Sequence, residues 1–528
     1  MIDRLRGPAQ RLATLLGDDG LFGRAIAAIV LVSAWVATWR PQIDPDFGWH
    51  LRVGEAVLDT GIVPHTDTFS WLTGGGPFLA HSWAWDAILA AAHRAGGLFG
   101  TSLVALPVSA LAIVLLWALL KLAAPSVPPF PRSLLVALGI VIGLPVWSPR
   151  AQIWDVVFVL ACVLAWSTWL RRGHVWALVV VPVIPVLWVN LHGGATAFFA
   201  CLLALAVAIP VGIRWGVWPR RPIVPLLVST GLAIVAFAIG PNGLDIITLP
   251  FNSQAGNAFL PAIAEWQSPD FNEAGFATLR VVLAAAVLVA FALRGRSRDP
   301  FLLLLAAGWT FMALGAGRFS IIAGPLIVTA LAPALAGSAR AWLGIGRART
   351  ATGLTPNTRP SHGIARLASG AAIVLAIVIA LAGLVQIAPA RQSAQLATRF
   401  PVAAVDWMLG RACHGRMLNA YDWGGYLIGA WTEPVATYGS SPSDLVEAEL
   451  ALEEVRTDVR AWLDGEQVDL ILMPTGGALD RWLDETDTWT VAYRDPQATV
   501  HTRAGSIACP PVVARGAGDS PGQILSAQ

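Results

Sequence analysis

The sequence predicts an all-α polytopic membrane domain of about eleven transmembrane helices, followed by a small C-terminal α/β domain on the extracytoplasmic side. Three observations carry this expectation. The chain is 56% hydrophobic and only 13% charged, with a mean hydropathy of +0.63, whereas an ordinary soluble domain is about a quarter charged. Apolar stretches long enough for a ~30 Å hydrocarbon core recur through residues 1–388 and then stop. Lys and Arg also concentrate on alternate loops, the pattern that keeps those loops cytoplasmic.

Taken in order, the spans are expected at 24–39, 98–120, 133–147, 153–170, 174–189, 195–213, 222–239, 276–293, 300–316, 319–337 and 367–388. The first is read as a span rather than a cleaved leader, because its flank lacks a small-x-small cleavage site. With the N-terminus cytoplasmic, the inner loops hold nineteen basic residues, among them Arg4, Arg6, Arg171, Arg172, Arg220, Arg221 and Arg296. The outer loops hold five: Arg40, Arg52, Arg94, Arg150 and Arg318. This asymmetry fits a multi-pass plasma-membrane protein. The formal net charge of +2 is dispersed as topology signals, so no basic patch for nucleic acid is expected. No Gly-rich nucleotide fingerprint lies on the inner face, and no pair of inverted repeats stands out. Cys162 and Cys201 fall inside spans, where a thiol serves as a small apolar group.

The first long outer loop, 40–97, carries the densest chemistry. Asp44 before Pro45 fits the N-cap and N1 positions of a helix running through Leu58 and closed by Gly61. Asp46 and His50 are then i and i+4 on one face, and ionisable groups at a bilayer boundary usually mark chemistry or transport. A second helix is expected from Ser82 to Arg94, with His81 at its start. Two such surface helices would form the roof or wall of a site. Other outer polar residues are Asp67, Asp86, Arg150, Asn190, His192, Asn242, Glu265, Asp270 and Arg318. Several have a plainer reading. Asp44 can be a cap only, His81 an interfacial anchor, and Asn190 with His192 a helix stop before Gly193 and Gly194. Trp71, Trp83, Trp188 and Trp266 read as an interfacial belt. Arg318 and Arg150 either snorkel to headgroups or meet a phosphate or a distant carboxylate.

Past a Gly, Pro and Arg-rich inner loop at 343–366, the composition becomes that of a soluble domain over 389–510. Helices are expected at 402–409 and 444–463, and extended segments at 416–419, 426–428, 435–438, 468–473, 488–493 and 499–502. Residues 511–528 read as a disordered tail. Cys413 and Cys509 bracket this domain and could pair on an oxidising face, although two cysteines alone specify no geometry.

The run Asp46-Phe47-Gly48-Trp49-His50-Leu51, with Ile62-Val63-Pro64-His65-Thr66-Asp67-Thr68-Phe69-Ser70 and His81-Ser82-Trp83, resembles bacterial membrane proteins of the glycosyltransferase C superfold. Arg150-Ala151-Gln152, Asn190-Leu191-His192-Gly193 and Asn419-Ala420-Tyr421-Asp422-Trp423-Gly424-Gly425 extend the resemblance along most of the chain. It implies a lipid-linked sugar transferase that moves a sugar from a polyprenyl-phosphate donor to a glycan, lipid or protein acceptor at the outer face. By that analogy Asp46 is the acid nearest the chemistry, a base or a ligand for a divalent metal such as Mg or Mn, with Asp44 and His50 beside it. His81, Arg150, Asn190, His192, Glu265 and Arg318 are the candidate substrate-binding residues. The chain departs from better-known members in having Asp44-Pro45-Asp46 for an Asp-Glu pair and Ser82 in place of a Glu. Two other classes fit the composition. A glycolipid transporter would carry ionisable groups near mid-span, where few are found, Asp155 lying just inside the fourth span and Arg280 near the start of the eighth, and a non-catalytic envelope assembly protein would leave Asp46, His50 and Arg318 apart.

Overall fold

The computed structural model describes residues 21–248, 264–269, 299–342 and 362–510. The expected span at 276–293, residues 343–361 of the expected linker, Asp270, Arg280 and the tail 511–528 lie outside the described residues.

The chain enters through α1 (Leu21–Ala37), crosses the first loop as α2 (Phe47–Thr60), and continues into α3 (Trp83–Ala123). The last is two helices joined at a kink, where Gly96 and Gly97 leave helical geometry and Gly97 has φ 56°. Its first part is the surface helix expected from Ser82, and its second part is the span. There follow α4 (Pro129–Ile142), α5 (Ile153–Arg172), α6 (Val175–Val180), α7 (Val183–Leu191), α8 (Ala195–Arg214) and α9 (Val224–Ala236). After residue 299 come α10 (Pro300–Gly315), α11 (Ser320–Trp342) and α12 (His362–Gln386). Among the described residues, five stretches are long and apolar enough to cross a membrane: within α3, α5, α8 and α12, and Gly317–Leu335. The other apolar helices are shorter, at 10–17 residues. Pro182 interrupts the span expected at 174–189, leaving α6 and α7 end to end. Large apolar side chains stay exposed along these helices, including Leu203 at 68%, Val235 at 67% and Phe311 at 76%. Such a surface suits lipid rather than water.

The first helix of the loop differs from expectation. Asp44 is not its N-cap; that position belongs to Asp46, and Asp44 instead accepts from the Asp46 backbone N–H at 2.8 Å in a tighter turn. Gly61 closes the helix with φ 69°, the left-handed position for which glycine suffers no Cβ clash.

The C-terminal part begins with α13 (Pro389–Arg399) and α14 (Val402–Gly410). It continues with β1 (Met417–Asn419), α15 (Tyr421–Ala430), α16 (Ser443–Glu453), α17 (Val459–Gly465), β2 (Leu470–Pro474), α18 (Ala478–Asp484), β3 (Trp489–Arg494) and β4 (Ala498–Arg503). The sheet order is β1-β2-β4-β3, with β1 and β2 parallel and the remaining pairs antiparallel. Residues 426–428, expected as extended, are helical instead, and the expected helix at 444–463 breaks where Val455 adopts φ 56°. Segment 435–438 forms no strand of the sheet; its Val435 bridges the first loop, through its N–H to Phe69 O at 2.9 Å and Trp71 N–H to its carbonyl at 3.0 Å. Cys413 and Cys509 form a disulfide across this region.

One feature of the packing positions the site. Helix α15 lies directly on α2, with glycines at the crossing: a Cβ on Gly48 would stand 2.1 Å from Gly425 O, and one on Gly425 would stand 2.2 Å from Pro45 O. Only glycine lets the two backbones approach so closely. Arg52 binds the end of α15 through Ile428 O at 3.0 Å. A single buried apolar cluster therefore runs from the spans through the loop into the sheet.

Candidate functional site

Arg150 precedes α5 and reaches three carboxylates from two distant segments. Its Nε is 2.6 Å from Asp44 Oδ2, its Nη2 2.7 Å from Asp46 Oδ2, and its Nη1 3.1 Å from Glu265 Oε2. Glu265 Oε1 in turn meets Arg318 Nη1 at 3.0 Å, and the Arg318 guanidinium lies over the Trp266 ring at 4.3 Å. Asp46 Oδ1 accepts from Trp49 Nε1 at 3.2 Å. The guanidinium left uncompensated by its local sequence thus finds a distant carboxylate and an aromatic face. Asp44 is almost fully buried, while the Asp46, Arg150, Glu265 and Arg318 side chains keep 18–28% exposure, enough for a ligand to reach them.

Electrostatics follow this arrangement. Burial opposes the charge on Arg150, but Asp44, Glu265 and Asp46 outweigh it and hold the guanidinium above its ordinary pKa. Burial likewise pushes Glu265 up, yet Arg150 and Arg318 overcome it, so Glu265 lies below the ordinary carboxylate range. For Asp44 burial wins over Arg150, and its pKa is raised.

Beside the ion network runs a row of imidazoles. His50 stacks on Trp49 at 3.6 Å, His81 lies 6.0 Å from His50, and His192 lies 5.9 Å from His81, all between ring centroids. The two outer rings are anchored by buried acids: His50 Nδ1 to Asp86 Oδ1 at 2.8 Å, and His192 Nδ1 to Asp155 Oδ1 at 2.8 Å. Ser82 Oγ donates to the same Asp86 oxygen at 3.0 Å, and Trp188 Nε1 to the same Asp155 oxygen at 2.7 Å. Burial lowers the pKa of His50, but Asp86, Asp46 and Asp44 reverse the sign and leave it raised. His81, buried between two other imidazoles, is held well below the ordinary value and stays neutral.

The structure therefore gathers Asp44, Asp46, Arg150, Glu265 and Arg318 into one charged network, with His50, His81 and His192 alongside. Asn190 is engaged elsewhere: its Oδ1 accepts from Trp83 Nε1 at 2.9 Å, and its Nδ2 donates to Val186 O and Ile239 O. The tryptophans expected as a belt have internal partners, and Trp188 is fully buried. Asp86 and Asp155 gain partners that sequence reading did not pair with them. Ser82 and Asp86 at i and i+4 on one helix were the available signal for the first. The C-terminal part adds a wall: a Cβ on Gly439 would stand 2.0 Å from Asp46 Oδ1. Tyr421 and Tyr438, both pushed up by burial, feel the Asp46 charge.

Among the described residues, one group of Asp and His could hold a metal ion: Asp480, Asp484 and His501, in the C-terminal sheet region. Arg494 already pairs with both acids there, at 3.0 and 2.7 Å.

No family model and no curated protein match this chain. Among solved structures it is similar to the archaeal oligosaccharyltransferase AglB from Archaeoglobus fulgidus in complex with an inhibitory peptide and a dolichol-phosphate. That match has TM-score 0.53 and 14% identity over 85% of this chain and 69% of that one. It is also similar to ArnT from Cupriavidus metallidurans bound to undecaprenyl phosphate, with TM-score 0.47 and 16% identity over 92% of this chain and 98% of that one. The AglB likeness gives the chain a glycosyltransferase C fold, as the sequence resemblance implied.

Proposed function

We propose that this chain is an integral membrane glycosyltransferase that moves a sugar from a polyprenyl-phosphate donor to an acceptor at the outer face of the membrane. The observation that carries the reading is the placement of Asp46 against Arg150, which shares Glu265 with a second guanidinium, Arg318. The AglB structure, in complex with a dolichol-phosphate, supplies the ligand class by analogy. The helical stretch that follows Arg150 and the one that begins at Gly317 are long and apolar enough to cross a membrane, the surroundings a lipid tail needs. The disulfide Cys413–Cys509 supports an extracytoplasmic C-terminal region, because such bonds persist in oxidising compartments.

In this reading Arg318 and the uncommitted N–H groups of Arg150 receive the donor phosphate. An arginine has five N–H donors, and the three acids account for three on Arg150. Phosphate competes with carboxylate for the same guanidinium groups, so donor binding loosens the hold of Arg150 on Asp46. Asp46 then accepts the proton of the acceptor hydroxyl as its oxygen bonds to the sugar anomeric carbon. The bond from that carbon to the phosphate oxygen breaks, and the phosphate leaves with the electron pair, its charge met by Arg318 and Arg150.

A metal ligand role for Asp46, the alternative to the base role, has to contend with the guanidinium beside it. Both Asp46 oxygens and both Asp44 oxygens already have donors, so the residues present do not fit a divalent ion.

The test is transfer of a labelled sugar from polyprenyl phosphate by purified protein. Asp46→Asn is expected to lower the rate by about 10²–10⁴-fold, the range for loss of a positioned base. Turnover equal to wild type would contradict the assignment.

A further inference from the structure

We infer that Arg150 is the resident cation of this pocket, a built-in guanidinium that takes the place a divalent metal would otherwise hold between Asp44, Asp46 and Glu265. The inference rests on the geometry of the acids rather than on the transfer chemistry. The three carboxylates present six oxygens, and each has a donor. Asp44 Oδ1 accepts from the Asp46 backbone N–H at 2.8 Å and Oδ2 meets Arg150 Nε at 2.6 Å. Asp46 Oδ1 accepts from Trp49 Nε1 at 3.2 Å and Oδ2 meets Arg150 Nη2 at 2.7 Å. Glu265 Oε1 meets Arg318 Nη1 at 3.0 Å and Oε2 meets Arg150 Nη1 at 3.1 Å.

Three acids separated by as many as 221 positions in the chain would repel one another if drawn to one point without a cation. A dication would bring them together, but Arg150 already does so with one acid on each of its nitrogens. To enter, a metal would have to displace a guanidinium that cannot lose its proton and is packed among these residues. A second cation beside the first would be repelled by it. The planar fork also fixes directions that a spherical ion does not.

Removing Arg150 should therefore uncover a metal site that the natural chain lacks. The experiment titrates full-length protein in detergent with Mn²⁺ and reads bound ion by electron paramagnetic resonance, which needs no donor, acceptor or turnover. The signal counted is the part abolished by Asp46→Asn, so any ion at Asp480, Asp484 and His501 cancels. Wild type and Arg150→Lys should show no such signal. Arg150→Ala should bind Mn²⁺ about a hundredfold more tightly than wild type, since affinity follows ligand charge. Arg150→Ala/Asp46→Asn should lose that site again.

An Asp46-dependent Mn²⁺ site in wild type would overturn the inference, as would a folded Arg150→Ala that gains none. If Arg150→Ala fails to fold, comparison of wild type with Asp46→Asn still decides. A chain inactive as a transferase but behaving in this way would sink the proposed function and leave the inference standing.

Discussion

His50 is the residue whose protonation most clearly couples to structure. It sits against Asp86 at 2.8 Å, and its pKa is raised despite burial. Because the folded value exceeds the unfolded one, this stabilisation is complete below the ordinary histidine value of about 6.5 and is lost as pH rises through the folded value. The thermal midpoint of wild type relative to His50→Gln should therefore be highest below the ordinary histidine value and should fall as pH rises above it. A gap that is constant or grows with pH contradicts this. At the same scale, the candidate residues were legible but their partners were not. Asp46, Glu265 and Arg318 stand out as ionisable groups in an apolar chain. That Arg150 joins Asp46 across 104 positions and Glu265 across 115 is information that only packing supplies. Asp155 shows the same limit: in sequence it is a charge just inside a span with no evident partner, and folded it orients His192 and Trp188.

Among elements, the contact of the C-terminal region with α2 decides how rigidly Asp46 is held. Gly439 faces the Asp46 carboxylate with no room for a side chain. Gly439→Ala should thus displace Asp46 while leaving the sheet intact. We expect kcat/KM to fall about a hundredfold, the scale of a 1 Å misplacement, with a nearly unchanged thermal midpoint. Equal losses of activity and stability would instead mark Gly439 as structural only. The failure to foresee α15 has the same origin. Its Gly424 and Gly425 argue against helix by propensity. Close packing on Pro45 and Gly48 is what selects the helix, a tertiary contact invisible in local sequence. The hairpin of β3 and β4, by contrast, was legible because alternation and a short turn are local signals.

For the whole molecule, one apolar cluster joins spans, loop and sheet, so the C-terminal region should lend stability to the site rather than hang from it. Replacing Cys413 and Cys509 by Ser opens a loop of 96 positions and should cost about 4–5 kcal/mol in the chain-entropy model, read as a lower thermal midpoint by tryptophan fluorescence. An unchanged midpoint would show that the bridge constrains little. Hydropathy made the membrane class legible, and among the described residues five of the expected spans correspond to helices long and apolar enough to cross a membrane. The helices at the other described spans are shorter, at 10–17 residues.

The central claim is that Arg318 and Arg150 receive a lipid phosphate beside Asp46. The most direct measurement is a structure of the full chain with a bound polyprenyl phosphate. The account predicts phosphate oxygens within about 3 Å of guanidinium nitrogens on both arginines, the usual distance for charge-assisted hydrogen bonds. Phosphate bound on the opposite side of the membrane, or out of reach of both arginines, would contradict it.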